Sequence, residues 1–184
     1  MAEAEAVFSR ALGEKEQRFG REHPALASSY FHLGQIQLRR GHREAAEALF
    51  MRANELSANH PGSHQMMESL AFSLRDQDRV DALEQRYLFE LESYEIELGS
   101  DHPALLHALD NLGLLYRYQG RYEDAIEIFL QVLVIREGQP EQATLAIQQC
   151  VEQLVYCYRA EARNDDADAL LEQYSDYLDS VSGN

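Results

Sequence analysis

The sequence predicts an all-α fold built of about nine antiparallel helices that recur in pairs. Helix-favouring residues such as Ala, Leu, Glu, Gln and Arg are abundant, and only four prolines interrupt 184 residues. Strand-forming runs of Val, Ile and Thr are absent from the sequence, and the longest candidate, 132–135, lies inside a helical pattern. A block that begins at His32 is repeated from Asn111, at a constant offset of 79 residues, so one helical unit recurs along the chain.

The repeated unit occurs four times. An intermediate copy begins at Ser69, and a fourth copy begins at Gln153, 42 residues after the third. The first residues of the chain match the second half of a unit, because their apolar residues coincide with those of the first copy at an offset of 42. We therefore predict a single array over 1–184, made of a second-helix half-repeat at 2–19 and four repeats at 24–57, 61–98, 103–138 and 141–180.

Each copy indicates how its two helices pack. In the first and third copies a Leu precedes Gly34 or Gly113, and a residue without a side chain lets the partner helix approach closely. Val155 takes this position in the fourth copy, which predicts looser or differently angled packing there. Seven residues later, Gly41 and Gly120 suit the left-handed turn that ends the first helix. The second helix then carries an apolar stripe at helical spacing, namely Ala46/Phe50/Ala53, Ala125/Phe129/Val132 and Ala167/Leu171/Tyr174.

Three loops end in the dipeptide His-Pro, at His23, His60 and His102. The proline suits the first turn of the helix that follows, where its missing N–H costs nothing. His60 and His64 together look like a pair of metal ligands. Because the histidine recurs in all three loops, a role in structuring the loop is the favoured interpretation.

The Leu-Gly pair, the glycine at the turn and the Ala/Phe/Ala stripe resemble the tetratricopeptide repeat (TPR) family. The period of about 42 residues, the long helices and the His-Pro loops are similar to the extended subclass typified by kinesin light chain, above all in Leu98–Glu137. The resemblance implies a right-handed α–α superhelix, the TPR solenoid, whose concave side is lined by the first helix of each pair. It also implies a non-enzymatic scaffold or adaptor that binds a peptide segment of a partner protein in this groove.

The resemblance places the groove side chains on the first helices, facing away from the Leu/Gly seam. Asn111 matches the asparagine with which family members hold the backbone of a bound peptide. Gln153 is able to serve similarly, because an amide both donates and accepts hydrogen bonds. The predicted peptide-binding positions are Phe31, Gln35, Arg39, Phe72, Arg75, His107, Asn111, Leu114, Arg117, Gln153, Tyr156 and Arg159.

Three arginines, Arg75, Arg117 and Arg159, share one register position in successive copies. Such a row suits the recruitment of an acidic peptide. The alternative is that the arginines complement the helix dipole and are neutralised by carboxylates about one turn away, at Glu68, Asp76, Asp110 and Glu152. A second shared register holds Phe72, Leu114 and Tyr156, which form either an apolar floor of the groove or packing between repeats.

The charge of the chain narrows the classes of partner. Its formal net charge of -16 repels phosphate backbones and anionic lipid, so we expect neither nucleic acid nor a membrane surface as partner. No apolar run approaches the roughly 18 residues that span a bilayer. Cys150 and Cys157 lie about 10 Å apart in one predicted helix, too far to form a disulfide. A reduced, cytoplasmic protein is the resulting expectation.

No motif of a known catalytic or nucleotide-binding site occurs, so we predict neither an enzyme nor a cofactor or metal site. The carboxylates Asp165, Asp166 and Asp168 suit the positive end of the last helix. Two further functions stay open. One is self-assembly, including a homodimer through the terminal helices, for which Tyr174, Tyr177 and Leu178 provide an apolar strip. The other is a peptide-sensing regulatory domain of a larger complex.

Overall fold

The computed structural model describes residues 2–57, 63–74, 77–139 and 144–175. These residues form nine α-helices and two short 3-10 helices and include no strand, so the predicted all-α fold class is confirmed. The chain divides into two compact units, Met1–Ala82 and Leu83–Asn184, while the predicted boundaries of the repeats stay a prediction. The α-helices are α1 (Ala2–Phe19), α2 (Ala27–Arg39), α3 (Arg43–Glu55), α4 (Ser63–Ser73), α5 (Gln77–Leu98), α6 (Leu106–Gln119), α7 (Tyr122–Glu137), α8 (Thr144–Ala160) and α9 (Asn164–Gln173).

In the first unit, α2 packs against α1 and α3, and α3 packs against α4. The turn between α2 and α3 comprises only residues 40–42, so these two helices pack side by side in antiparallel directions. The apolar stripe predicted for the second helix is confirmed, because Ala46, Phe50 and Ala53 are fully buried. Met67 and Leu70 of α4 complete this interior.

In the second unit, α7 packs against α6 and α8, and α8 packs against α9. The stripe of α7 is buried as predicted, with Phe129 completely removed from solvent. The part of α5 in this unit buries Leu83, Tyr87 and Leu91, which recur every four residues and therefore share one helix face.

The two glycines of the Leu-Gly pairs allow a close approach of helices, as predicted. A Cβ atom at Gly34 would lie 2.6 Å from Cε1 of Phe50, and a Cβ atom at Gly113 would lie 2.7 Å from Cε1 of Phe129. Both rings are fully buried, so each fills the space that a side chain on the neighbouring helix would occupy. The first helix is thereby held directly on the phenylalanine of the second.

The turns after α2 and α6 also follow the prediction. Gly41 and Gly120 have φ angles of 80° and 75°, in the left-handed region that favours glycine. The amide of Arg121 donates to the carbonyl of Tyr116, which closes the end of α6. In the fourth copy Ala162 occupies the equivalent position, and it too adopts a positive φ, 57°.

The histidines of the His-Pro loops structure the start of the next helix, as predicted for His23 and His102. Nδ1 of each ring accepts a hydrogen bond from the backbone amide two residues later, at 3.1 and 3.2 Å. Pro24 and Pro103 then open a single 3-10 turn that continues into α2 or α6. The third loop, with His60, and the side chain of His64 lie outside the described residues.

One expectation about the end of the chain is wrong. Tyr174 is buried, and its hydroxyl donates to Oε1 of Glu137 at 2.5 Å, so this tyrosine belongs to the packing of α9 and not to an exposed apolar strip. The stripe predicted for α9 is therefore right for Ala167 and Tyr174 and wrong for the leucine, because Leu170 and not Leu171 is the buried one. The other two residues of the predicted strip, Tyr177 and Leu178, lie outside the described residues.

Two carboxylate–arginine pairs recur at equivalent positions of the repeat. Nη2 of Arg79 lies 2.8 Å from Oε1 of Glu47, and Nη1 of Arg121 lies 3.0 Å from Oε2 of Glu84. Each pair joins a second helix to the N-terminal end of the second helix of the following copy. Burial raises the pKa of Glu47, and the charge of Arg79 opposes this rise.

A tyrosine completes the second of these pairs. The Arg121 guanidinium lies 4.0 Å from the ring centroid of Tyr116, whose hydroxyl donates to Oε1 of Glu84. In the next copy Arg163 lies over the ring of Tyr158 at 4.7 Å. The same cation–π contact therefore fixes the end of α6 and the end of α8.

We expect Gly113→Ala to destabilise the protein, although alanine favours helix more than glycine. The overpacking against Phe129 costs about 1–3 kcal/mol, more than the gain in helix propensity of at most about 1 kcal/mol. Urea denaturation followed by circular dichroism measures the change. Gly13→Ala in α1 is the matched control, because a Cβ atom there meets nothing within 4 Å and should stabilise the helix. Equal stabilisation by both substitutions would contradict the expectation.

We expect Ala162→Gly to raise the free energy of unfolding by about 1 kcal/mol, because a left-handed conformation is costly for a residue with a Cβ atom. Gly120→Ala, at the equivalent turn, should lower it by a similar amount. Thermal denaturation should give a higher melting temperature for Ala162→Gly and a lower one for Gly120→Ala than for the unchanged protein. A lower melting temperature for Ala162→Gly would show that this turn is not strained.

Candidate peptide-binding surface

In the second unit, α6, α7 and α8 bring one arginine and three tyrosines together. The Arg117 guanidinium lies 4.8 Å from the ring centroid of Tyr118 and 4.9 Å from that of Tyr156. Tyr122, the first residue of α7, meets Tyr156 edge-on with the ring centroids 6.1 Å apart. We call Arg117, Tyr118, Tyr122 and Tyr156, together with Arg159, the arginine–tyrosine patch.

The patch is accessible to a partner. Tyr156 is 51% exposed and Tyr118 is 44% exposed, although large aromatic side chains are usually covered. Arg159 lies three residues after Tyr156 on α8, and its side chain is 56% exposed. Its guanidinium pairs only loosely with Asp168 of α9, at 3.7 Å, and an exposed pair of this kind contributes little stability.

The hydroxyl of Tyr122 is a neutral group of the patch. The pKa of Tyr122 is raised, chiefly by the neighbouring Tyr156 hydroxyl and secondly by desolvation, while the charge of Arg117 opposes the rise. A raised pKa keeps this phenol protonated at neutral pH. The patch therefore combines cationic guanidinium groups with phenolic O–H donors, all of which favour an anionic or carbonyl oxygen.

Three of the predicted positions lie in the interior. Phe31 is buried, with its ring centroid 5.8 Å from that of Phe50, and Leu114 is completely buried. For Leu114 this agrees with packing between helices and not with an open apolar floor. Asn111 is only 2% exposed, and its Nδ2 atom lies 3.2 Å from Nε2 of His107, one turn earlier on α6. The amide predicted to hold a peptide backbone is therefore in contact with a protein side chain.

Gln153, at the equivalent position on α8, differs from Asn111. Its side chain is partly exposed, and its Oε1 atom is buried without a hydrogen-bond partner among the described residues. An acceptor in this situation gains from any donor that reaches it. A peptide N–H is one such donor.

Two predicted positions in the first unit are exposed. Phe72, at the end of α4, is 64% exposed, and Arg39, at the end of α2, is also exposed. Gln35 is partly exposed, while Arg75 lies outside the described residues. Arg43 donates to the carbonyl oxygens of Phe72 and Ser73 at 3.2 Å and so satisfies the end of α4.

For Arg159, the ion pair in the structure is with Asp168 of α9 and not with the intrahelical partner of the second alternative. Glu152, its proposed partner, instead accepts a hydrogen bond from Nε2 of Gln148 at 3.1 Å. Asp110, the carboxylate expected near Arg117, lies 2.5 Å from Nη2 of Arg136 on α7.

Arg136 is itself buried, and it also donates to the carbonyl of Ala146 at 2.7 Å. It thereby joins three successive helices of the second unit, α6, α7 and α8.

Both cysteines are buried free thiols, as expected of core residues. Burial raises the pKa of Cys157 to about 11, against the opposing charge of Arg117. Burial raises the pKa of Cys150 still further, and its Sγ donates to the carbonyl of Phe129 at 3.2 Å. A thiol with a raised pKa is a poor nucleophile and a poor metal ligand at neutral pH.

Potential metal ligands do not cluster in the part of the chain that the structure describes. Within it, no three His, Cys, Asp or Glu side chains lie close enough together to bind a metal ion. The carboxylate of Asp166 pairs instead with Nε of Arg163 at 2.7 Å. No helix of the described ranges is long and apolar enough to cross a membrane.

Sequence reasoning missed Tyr122 as a member of the patch, because it followed only the first helices. Tyr122 begins a second helix, but it lies four residues after Tyr118, across the short turn at Gly120. A chain that reverses direction at such a turn brings both residues to the same end of the helix pair. The conjunction of a tyrosine on each side of the glycine was the available signal.

Acidification should destabilise the second unit through His107. Burial lowers the pKa of His107 below its ordinary value of 6.5; the charge of Asp110 raises it and that of Arg86 lowers it further. The unfolded chain therefore binds the proton more readily than the folded chain does. The free energy of unfolding keeps its full value with respect to His107 above about pH 6.5 and falls below that pH. Melting temperatures at pH 8.0 and 5.5 should differ less for His107→Gln than for the unchanged protein. An identical difference would contradict this expectation.

Comparison with known proteins agrees with this architecture. A family model described as "Tetratricopeptide repeat" matches residues 1–58 and 63–138. No curated protein matches the chain. The crystal structure of BtubC (BKLC) from P. vanneervenii is similar over the whole chain and 75% of its own length, with a TM-score of 0.58 and 20% identity.

A putative kinesin light chain of Podosopora anserina with nearly identical TPR-like repeats is also similar. Its two crystal structures give TM-scores of 0.55 and 0.54 at 20% and 19% identity, and the match covers all of this chain and 89% of each of them. At such identities the likeness concerns the fold alone, a TPR solenoid of the kinesin-light-chain type. Because the family model covers well over half of the sequence, this chain belongs to the tetratricopeptide repeat family.

Proposed function

We propose that this protein is a non-enzymatic adaptor that binds an acidic peptide segment of a partner protein through the arginine–tyrosine patch. TPR repeats are in general modules of protein–protein interaction, and the patch supplies the chemistry that would select the ligand. The observation that carries the proposal is the placement of Arg117 between two exposed tyrosine rings, beside the exposed Arg159.

Stacking prepares Arg117 for a carboxylate. Ring faces on a guanidinium fix the plane of the group, and the N–H bonds lie in that plane. A carboxylate that arrives in the plane accepts charge-assisted hydrogen bonds without first ordering a flexible side chain. The neutral Tyr122 hydroxyl adds a donor at the rim of the patch.

Gln153 would contribute to binding in a different way. Its buried Oε1 atom has no donor among the described residues, and it lies on α8 one turn before Tyr156. A peptide N–H reaches this oxygen once the partly exposed Gln153 side chain rotates, and it then removes the cost of an unsatisfied acceptor. We therefore expect contacts to the carboxylate side chains and to the backbone of the ligand. The positions on α2 and α4, among them Arg39 and Phe72, stay predictions.

The test uses fluorescein-labelled peptides and fluorescence anisotropy with the full chain. A mixed peptide of Glu, Asp and Leu should bind more tightly than the same peptide with Gln and Asn in place of the acids. Arg117→Gln and Arg159→Gln should each lower the affinity for the acidic peptide by about tenfold, because each removes a charge-assisted hydrogen bond. The combined Arg117→Glu/Arg159→Glu variant should abolish its binding.

Arg10→Glu is the matched control, because Arg10 is an exposed arginine of α1 at a distance along the chain from the patch. It changes the net charge more than either single Arg→Gln variant does, but it should leave the affinity for the acidic peptide almost unchanged. Equal weakening by Arg10→Glu would mean that only the overall field of the protein matters. Undiminished binding by the double variant would refute the assignment of the patch.

A further inference from the structure

The second half of α5 exposes large apolar side chains. Phe89 is 71% exposed and Ile96 is 78% exposed, while Leu83, Tyr87 and Leu91 are buried. At 3.6 residues per turn, Phe89 and Ile96 lie two turns apart on the face opposite to the buried one, about 10 Å along the helix. An apolar line of this length on the surface is typical of an interaction site.

This apolar line is surrounded by carboxylates. Four of the residues 88–98 are glutamates, namely Glu90, Glu92, Glu95 and Glu97, and none is a lysine or arginine. By helical register, Glu92 falls between the two apolar side chains, and Glu95 and Glu97 flank the line on opposite sides. None of the four carboxylates forms an ion pair with another described residue.

From this arrangement we propose that the exposed face of α5 docks a basic amphipathic helix of another protein, at a surface distinct from the arginine–tyrosine patch. The apolar face of such a helix would cover Phe89 and Ile96. Lysine or arginine residues on its flanks would pair with Glu92, Glu95 and Glu97. Both halves of this complementarity follow from the composition of the α5 surface.

Charge decides against other occupants. A second copy of this chain would bring a net charge of -16 against an equal charge, and it would set glutamates against glutamates if the same face were shared. Anionic lipid and nucleic acid are repelled for the same reason. A strand is also a poor occupant, because the backbone groups within α5 are engaged in the helix and offer no sheet edge.

A helix fits the spacing of the apolar side chains. Two helices that pack side by side interlock residues three, four and seven positions apart. Phe89 and Ile96 are seven positions apart, and Leu88, which is 38% exposed, lies beside Phe89 on the same helix. The partner helix therefore needs apolar residues at a heptad-like spacing and cations on both sides of them.

The experiment uses two synthetic peptides of identical composition, made only of leucine and lysine and each about 18 residues long. One has leucine at helical spacing, and the other has the same residues in a scrambled order. Fluorescence anisotropy with the full chain should give at least about tenfold tighter binding of the amphipathic peptide. The two peptides carry equal charge, so the general attraction of a cation to the acidic chain affects both affinities equally. The ratio of the two affinities therefore reports only the effect of the amphipathic arrangement.

The variants locate the binding. Phe89→Ser/Ile96→Ser should reduce the ratio of the two affinities to about one, and circular dichroism should show unchanged helix content because both side chains are exposed. Glu92→Gln/Glu95→Gln should lower the affinity for the amphipathic peptide at low salt and reduce the salt dependence of its binding. Val7→Ser is the control, because Val7 is 62% exposed on α1 and should leave the ratio unchanged.

Three results would overturn the proposal. The first is equal binding of the two peptides by the unchanged protein. The second is a ratio that survives Phe89→Ser/Ile96→Ser. The third is light scattering that shows a dimer of the unchanged protein and a monomer of this variant, which would make a second copy the occupant. Arg117→Glu/Arg159→Glu should leave the ratio unaffected, so failure here is distinct from failure of the arginine–tyrosine patch.

Discussion

The close contact between a backbone and a phenylalanine ring is the constraint on which both units depend. At Gly34 and Gly113 no side chain separates the first helix from the ring of Phe50 or Phe129. A fully buried phenylalanine stabilises the fold by up to about 3 kcal/mol, and the ring occupies the space that a side chain at the glycine would need. The glycine also fixes the distance between the helices, which in turn determines where the other side chains of α6 emerge.

Cations near the ends of second helices connect one pair to the next in a recurrent manner. Nζ of Lys15 donates to the carbonyl of Ala25 at 2.8 Å, and Arg136 donates to that of Ala146, in both cases ten residues further along the chain. The carbonyl lies near the start of the following first helix. Together with the pair of Glu84 and Arg121, such contacts fix the entry and the exit of a helix pair by charge-assisted hydrogen bonds. The helix backbone between these contacts is held in place, so an exposed side chain on it, such as Tyr156, has a defined position although it is not buried.

The fold was predictable from the sequence because its constraints are local and repeat at a fixed offset. Gly34, Gly41, Gly113 and Gly120 each have one physical function, and the period of the chain identifies them. The surface was less predictable, because helical register says where a side chain starts but not what covers it. Asn111 has the register of a groove residue, yet His107, one turn earlier, contacts its amide. Tyr174 fitted both the apolar stripe of α9 and an exposed apolar strip, and only the structure reveals that it is buried and that its hydroxyl donates to Glu137.

The arginines of the second helices and turns differ from Arg117 in the groups that they contact, and this difference bears on binding. Three arginines form ion pairs with glutamate or aspartate at 2.5–3.0 Å, namely Arg79, Arg121 and Arg136. Their charges are neutralised by carboxylates of the same chain. Arg117 lies against two rings, whose π faces attract the cation. In a chain with twice as many acidic as basic residues, a cation held between two aromatic rings is a local exception to the negative charge. This local exception is the reason that an acidic ligand is proposed for this position.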